Sequence, residues 1–350
     1  MKMKECLDRI QPLDEESCSA CEKRWDSIAK PLKSLGKLEK NLIQIAGIQR
    51  TSRIHLNKKV LVIMCADNGV VAEGVTQTGQ EVTAVVAENF LKGKTCAAIM
   101  CRDTQTHIYP VDIGMAADVS GVINKKIAYG TRNMAKEPAM TREEAVRAIE
   151  TGISIAQDLY RQGYDVIATG EMGIGNTTTS SAVASVLLQR PVEEVTGRGA
   201  GLSAAGLSHK IEVIEKAIAM HQPLVSDPVD VLAKVGGFDL AGLTGIYLGA
   251  AAAGIAAVMD GFISGAAALA AVRICPAAED YLLASHVSKE PAGAMILEAL
   301  HKSPSLTCGM CLGEGTGAVA LFPLLEMGLH IYENMSTFSQ IEIENYVPLE

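Results

Sequence analysis

Aromatic residues are scarce in this sequence: Phe, Trp and Tyr make up 4% of 350 residues, with a single Trp. A bulky aromatic core is therefore excluded, and abundant Gly and Ala predict helices packed tightly on a sheet. Positive charge is also short. Lys and Arg number 31 against 40 Asp and Glu, for a net charge of −9, which argues against sequence-independent nucleic-acid binding. An anionic small-molecule substrate stays open, because a local site can be positive in an acidic protein. The seven histidines show neither H-x-x-x-H nor H-E-x-x-H spacing, so no essential metal ion is predicted. No G-x-S-x-G elbow is present, which leaves a serine nucleophile without support. Both the G-x-x-x-x-G-K-[ST] loop and the G-x-G-x-x-G fingerprint are missing, so neither an NTP nor a dinucleotide cofactor is indicated.

The nine cysteines are irregularly spaced. Cys18-Ser19-Ala20-Cys21 is a C-x-x-C without a matching pair or nearby His, and the odd count suits a reducing cytoplasm. The opening Met1-Lys2-Met3-Lys4-Glu5-Cys6 leads into no apolar signal core, so no secretory peptide is expected. Residues 240–259 carry no charge and are long enough to span a bilayer. Acidic Asp239 and Asp260 flank them and no Lys or Arg anchors either end, which predicts a buried helix running into a buried strand instead.

What is present has a recurring order. Leu35, Leu38, Leu42, Ile45 and Ile48 fall on one helical face. Val60-Leu61-Val62-Ile63-Met64-Cys65 reads as a buried strand ended by Asp67-Asn68-Gly69, with helix over 82–91. His107-Ile108-Tyr109-Pro110-Val111 meets Asp112. Thr141-Arg142-Glu143-Glu144 opens a helix over 141–162 with a capping box. The next strand, 165–169, runs into Gly170-Glu171-Met172-Gly173-Ile174-Gly175, and a helix over 176–188 follows, with Asn176 and Thr177 suited to its N-cap. Further strands at 256–259 and 281–284 meet Asp260 and Ser285-His286. Strand, polar or glycine-rich loop, helix, repeated, predicts an α/β, Rossmann-like fold: a mostly parallel sheet with helices on both faces. Its ligand site belongs beyond the carboxyl ends of the strands.

Two glycine-rich stretches carry candidate chemistry there. In Leu312-Gly313-Glu314-Gly315-Thr316-Gly317-Ala318 a lone carboxylate in a flexible run is a candidate general base. A glycine turn with a solvated Glu reads equally well. Gly170 to Thr178 follows a strand and opens a helix, a place for a phosphate on free backbone N–H groups, though an ordinary strand-to-helix turn has the same pattern. Gly197-Arg198-Gly199-Ala200-Gly201 is followed by Lys210 on a helix over 207–220, either a phosphate contact or a surface lysine. One or two glutamates, phosphate-binding loops and no metal suit transfer at a phosphorylated sugar.

Several motifs resemble those of the nicotinate-nucleotide–dimethylbenzimidazole phosphoribosyltransferase family. They are Lys30-Pro31 with Ser34-Leu35-Gly36-Lys37-Leu38-Glu39, Ala66-Asp67-Asn68-Gly69-Val70 with Glu73-Gly74-Val75, Gly170 to Thr178, Val235-Gly236-Gly237-Phe238-Asp239, Asp260-Gly261-Phe262 and Leu312 to Ala318. They span 30–318 in family order. The resemblance implies a transfer of ribose 5-phosphate from nicotinate mononucleotide (NaMN) to 5,6-dimethylbenzimidazole or a related base, releasing nicotinate and giving an α-riboside 5′-phosphate for cobamide assembly. It implies Glu314 as the general base and Glu171 in support. It places Gly173, Ile174, Gly175, Asn176, Thr177, Gly199, Lys210, Gly313 and Gly315 around NaMN and its phosphate, and Thr78, Val86, Leu312, Asp67 and Asn68 around the incoming base. No cofactor and no metal are implied. A large α/β domain over 55–325 and a small helical domain from 1–54 with 326–350 are, as is a cytoplasmic homodimer.

Three departures stand out. Val86 replaces a Gln, Asn68 a His and Cys311 an Arg of well-known members, so the base pocket is less polar, smaller or less charged. A different lower ligand is one consequence. A heterodimer with a paralogue acting on phenolic bases is the alternative, with this chain the catalytic or NaMN-binding subunit. A non-catalytic partner subunit fits less well, because Glu314 is retained, and an NAD-dependent oxidoreductase rests on the α/β pattern alone.

Overall fold

The computed structural model describes residues 1–346; the last four residues of the 326–350 segment lie outside the described residues. Six strands, β1 (Lys59–Ala66), β2 (Thr106–Gly114), β3 (Ile123–Asn124), β4 (Val166–Met172), β5 (Ala256–Met259) and β6 (Leu282–Ala284), form one sheet in the order β3-β2-β1-β4-β5-β6. Every pairing is parallel. The α/β, Rossmann-like expectation is therefore met, in the strand order of dinucleotide-binding folds although the fingerprint is absent. β1 is buried along its whole length, as a strand covered on both faces must be. Met64 faces Gly242 and Leu61 faces Gly315. These β1 residues have opposite parity, so the two helices they meet lie on opposite faces of the sheet.

The scarcity of aromatics has its counterpart in helix packing. Helix Phe238–Ala253 is buried from Phe238 to Ala251 and crosses helix Arg142–Arg161 at glycines. A Cβ on Gly152 would lie 2.0 Å from the Gly242 carbonyl oxygen, and one on Gly245 would lie 2.0 Å from that of Ile149. The two backbones touch where larger residues would hold them apart. The uncharged stretch 240–259 is thus a buried helix followed by β5, and among the described residues no helix is long and apolar enough to cross a membrane.

Thr141 forms the expected capping box with Glu144. Two local readings differ from expectation. β4 continues through Gly170, Glu171 and Met172, because it pairs with β1 as far as Cys65–Met172; Glu171 sits on a strand, not in a loop. Helix Asn176–Leu188 is capped by Gly175 at φ 91°, which has no side chain to cap with, and the Asn176 amide nitrogen, one residue on, donates to Glu171.

The two chain ends meet. The Trp25 ring lies 5.2 Å from that of Tyr332, and Phe338 N–H donates to the Ser27 carbonyl at 3.0 Å. Helix Thr316–Asn334 runs unbroken through residue 325. The Lys30-to-Glu39 motif serves this region: Lys30 Nζ meets Glu39 Oε1 at 2.8 Å with both side chains buried.

Candidate active site

Because all strands are parallel, β1, β4, β5 and β6 deliver their C-terminal residues to one edge. β1 leads to β2 on one side while β4 and β5 lie on the other, the switch point at which open α/β sheets bind ligands. A cavity of 320 Å³ opens there. From β4 and the turn after it come Glu171, Gly173, Ile174, Asn176 and Thr177. Asp260 follows β5, and His286, Ser288 and Glu290 follow β6. Val86 and Gly199 join them, with loop 311–314 closing the wall. A second space of 80 Å³ shares Gly173, Ile174, Asn176 and Thr177 and adds Thr78, Gly175, Arg198 and Lys210.

Charge is divided between the two. The larger cavity has four carboxylates, Glu171, Asp260, Glu290 and Glu314, and no Lys or Arg. The smaller one has Lys210 and Arg198. Lys210 is 1% exposed; its Nζ donates to Thr177 Oγ1 at 2.9 Å and to the Gly197 carbonyl at 3.2 Å. It is no surface lysine. Burial drives its pKa down to about 8, opposed by the charge of Glu290. A buried ammonium held at a helix N-terminus is suited to an anion.

Glu171 is buried, and Asn176 Nδ2 donates to its Oε2. Burial pushes its pKa up to about 8, and the nearby charges of Asp239 and Asp260 add to the rise. Glu314 is half-buried with φ 59°. Its Oε2 accepts the Ala97 N–H at 3.1 Å, at the start of helix Cys96–Asp103. Burial raises its pKa above the usual glutamate value, the Ala97 and Thr95 contacts lower it, and Asp260 raises it. A carboxylate with one edge on the cavity and a raised proton affinity can accept a proton near neutral pH.

The remaining candidates divide. Gly313 and Leu312 line the larger cavity beside Glu314. Thr78 lines only the smaller one, while Val86 and Cys311 line the larger. Asp67 and Asn68 are fully buried and line neither cavity. Asp67 Oδ2 accepts the Ala116 N–H at 2.8 Å, and Asn68 Nδ2 donates to the Ile174 carbonyl at 3.3 Å, so Asn68 lies behind the turn 173–177. Gly315 is packed on β1 and β4, where a Cβ would lie 2.3 Å from Leu61 Cδ1 and 3.0 Å from the Thr169 carbonyl oxygen. His286, Ser288 and Glu290 had no signal in the sequence beyond His286 ending a strand, and Glu290 had none. Among the described residues no group of three or more His, Cys, Asp or Glu is placed to hold a metal.

Comparison with known proteins gives the family. A phosphoribosyltransferase family model matches residues 10–343. The nicotinate-nucleotide–dimethylbenzimidazole phosphoribosyltransferase of Ruminiclostridium cellulolyticum is 49% identical over the full length of both chains. That of Acetivibrio thermocellus is 47% identical over 98% of each. The crystal structure of CobT from Thermus thermophilus superposes with a TM-score of 0.89 at 38% identity, covering 95% of this chain and 100% of that one. With a family model across nearly all of its length and full-length relatives near half identity, this chain belongs to the nicotinate-nucleotide–dimethylbenzimidazole phosphoribosyltransferases, a family of pentosyltransferases.

Proposed function

We propose that the enzyme transfers the ribose 5-phosphate of NaMN to 5,6-dimethylbenzimidazole or a related base, in the assembly of the cobamide nucleotide loop. The observation that carries this is the division of charge between the two spaces: a carboxylate-lined cavity beside a cationic one. NaMN has a related division, a positively charged ring nitrogen bonded to C1′, with the nicotinate carboxylate further out on the ring, and a phosphate at the other end. Lys210 and the turn 173–177 take the phosphate, and the carboxylates face the positive charge at C1′ and the ring nitrogen.

The imidazole nitrogen of the incoming base attacks C1′ with its lone pair from the face opposite the pyridinium. The C1′–N bond to the pyridinium breaks and its electron pair returns to the ring, so nicotinate departs with a neutral ring. The β-riboside becomes an α-riboside. The other N–H of the imidazole turns acidic as the new bond forms, and Glu314 takes that proton. Glu171 supports the site: with a pKa of about 8 it carries a proton at neutral pH and keeps the floor from holding one more negative charge. Val86, Cys311 and Leu312 form the apolar wall beside Glu314, favouring a base that offers little to a polar pocket. Catalysis belongs to residues 55–325, with 1–54 and the described residues from 326 onward as the helical domain and a second copy as partner.

The test is incubation of the protein with NaMN and a panel of benzimidazoles, purines and phenols, with products read by mass spectrometry beside a Glu314→Gln variant. A riboside phosphate made by the wild type, and made at least ~10²-fold more slowly by the variant, is the expected result. Equal rates would remove Glu314 from the mechanism. A product formed only when a paralogous chain is added would favour the heterodimer.

A further inference from the structure

The loop that presents Glu314 is held from outside itself. Gly313, Glu314 and Gly315 have φ of 90°, 59° and 86°, three consecutive residues in the left-handed half of backbone space. Such a conformation in a non-glycine residue persists only where its surroundings impose it. The helix that follows, Thr316–Asn334, has no side-chain cap of its own, because its N-cap is Gly315; the Thr316 hydroxyl donates back to the Gly313 carbonyl at 2.9 Å. The free N–H groups of its first turn are met by Asp260, at the end of β5. Asp260 Oδ1 accepts from Gly317 at 2.8 Å and Ala318 at 3.2 Å, and Oδ2 accepts from Gly315 at 3.2 Å.

We propose that Asp260 is the positioning residue for Glu314: its carboxylate clamps the helix N-terminus and so fixes the strained loop with Glu314 facing the cavity. The inference rests on Glu314 being the general base. The clamp fits the site because Asp260 is 3% exposed, at a position where its hydrogen bonds meet little competition from water. It also acts on the base through space. Asp260 raises the proton affinity of both Glu314 and Glu171. The other titratable groups lining the cavity with Glu314 are Glu171 from β4, His286 and Glu290 after β6 and Cys311 on its own loop, and Ala97 and Thr95 hydrogen-bond to its carboxylate; none is a Lys or Arg. Removing the Asp260 charge therefore weakens the base as well as loosening its loop.

Asp260→Asn is the test, since it keeps the shape and one acceptor but loses the charge and the bond to Gly315. The expected result is a ~10–100-fold fall in kcat and the acidic limb of the kcat/KM profile moved to lower pH. In a Glu314→Gln background the same substitution costs less than ~3-fold, because the group it positions is already gone. Unchanged kcat in Asp260→Asn, or full additivity with Glu314→Gln, overturns the inference. If Glu314→Gln alone keeps its activity, the general-base reading fails instead. Should Asp260→Asn not fold, Asp260→Glu carries the test: kcat falls with the pH limb unmoved, and an unchanged kcat overturns the clamp.

Discussion

Glu171 Oε1 stands 2.5 Å from the point that a Cβ on Gly313 would occupy. The two glycine-rich stretches of the sequence thus meet, the end of β4 against the loop before the last long helix, and Gly170 packs on the Glu314 backbone beside this contact. A side chain at 313 would push on the buried carboxylate and would also have to adopt φ 90°, at a cost of about 1–2 kcal/mol.

Gly313→Ala is expected to lower kcat/KM by ~10²-fold while the melting temperature falls only a few degrees, because the damage is confined to the geometry of Glu171 and Glu314. Steady-state kinetics with NaMN beside a thermal melt checks this. A fully active variant would mean that the loop does not need its present path.

The pH dependence of catalysis has two limbs. Glu314 acts as a base only when ionised, and its raised proton affinity puts the acidic limb above the ordinary glutamate range. Lys210 binds phosphate best when charged, and it loses its proton at about 8. A bell-shaped kcat/KM profile follows. Lys210→Ala is expected to raise KM for NaMN ~10–100-fold, the scale of a lost hydrogen bond to a charged group, with little change in kcat. A loss in kcat alone would place Lys210 elsewhere in the reaction.

Stability of the free enzyme should depend on Glu171 in the opposite sense to most carboxylates. Its folded pKa of about 8 lies above the ordinary 4.5, so between those values the folded state binds more protons than the unfolded chain. Its contribution is fully present below pH 4.5 and is lost as pH rises through 8. Thermal melts across pH 5–9 should show a steeper fall for wild type than for Glu171→Gln, and parallel curves would show that Glu171 ionises freely.

The glycine crossing predicts a purely structural effect. Gly152→Ala would set a methyl 2.0 Å from the Gly242 carbonyl and force the helices apart, costing about 1–3 kcal/mol. The melting temperature should fall while KM for NaMN stays within ~2-fold. An unshifted melt would show that the two helices separate freely.

Acceptor choice should follow the cavity wall. Val86 and Cys311 both line it. Val86→Gln is expected to shift competition among bases towards 5,6-dimethylbenzimidazole, read from product ratios in a mixed-base assay. No shift would remove Val86 from base selection.

Alternation of apolar runs with glycine-rich or acidic loops made the parallel sheet legible, because a strand covered on both faces must be continuously apolar and its functional loop must not be. Glu171, Glu314 and the turn 173–177 were legible for the same reason, since glycine beside an isolated carboxylate is a local pattern. Lys210 was ambiguous until its burial was known. Glu290 was invisible, being one surface-type residue among many in a chain with 40 acidic side chains. The N-cap of helix Asn176–Leu188 is Gly175 rather than Asn176, whose side-chain nitrogen is tied to Glu171 on β4, a partner five residues back that a local capping pattern does not show.

The sequence by itself determined the elements, their parallel arrangement and the edge at which the site lies, since periodicity and backbone chemistry act over a few residues. Only the tertiary structure decided which of the acids at that edge share one cavity, which of them bind protons near neutrality, and that Asp260 holds the loop of Glu314 across 55 residues of chain. Burial and the distance between charges set those properties, and both are sums over residues far apart in sequence.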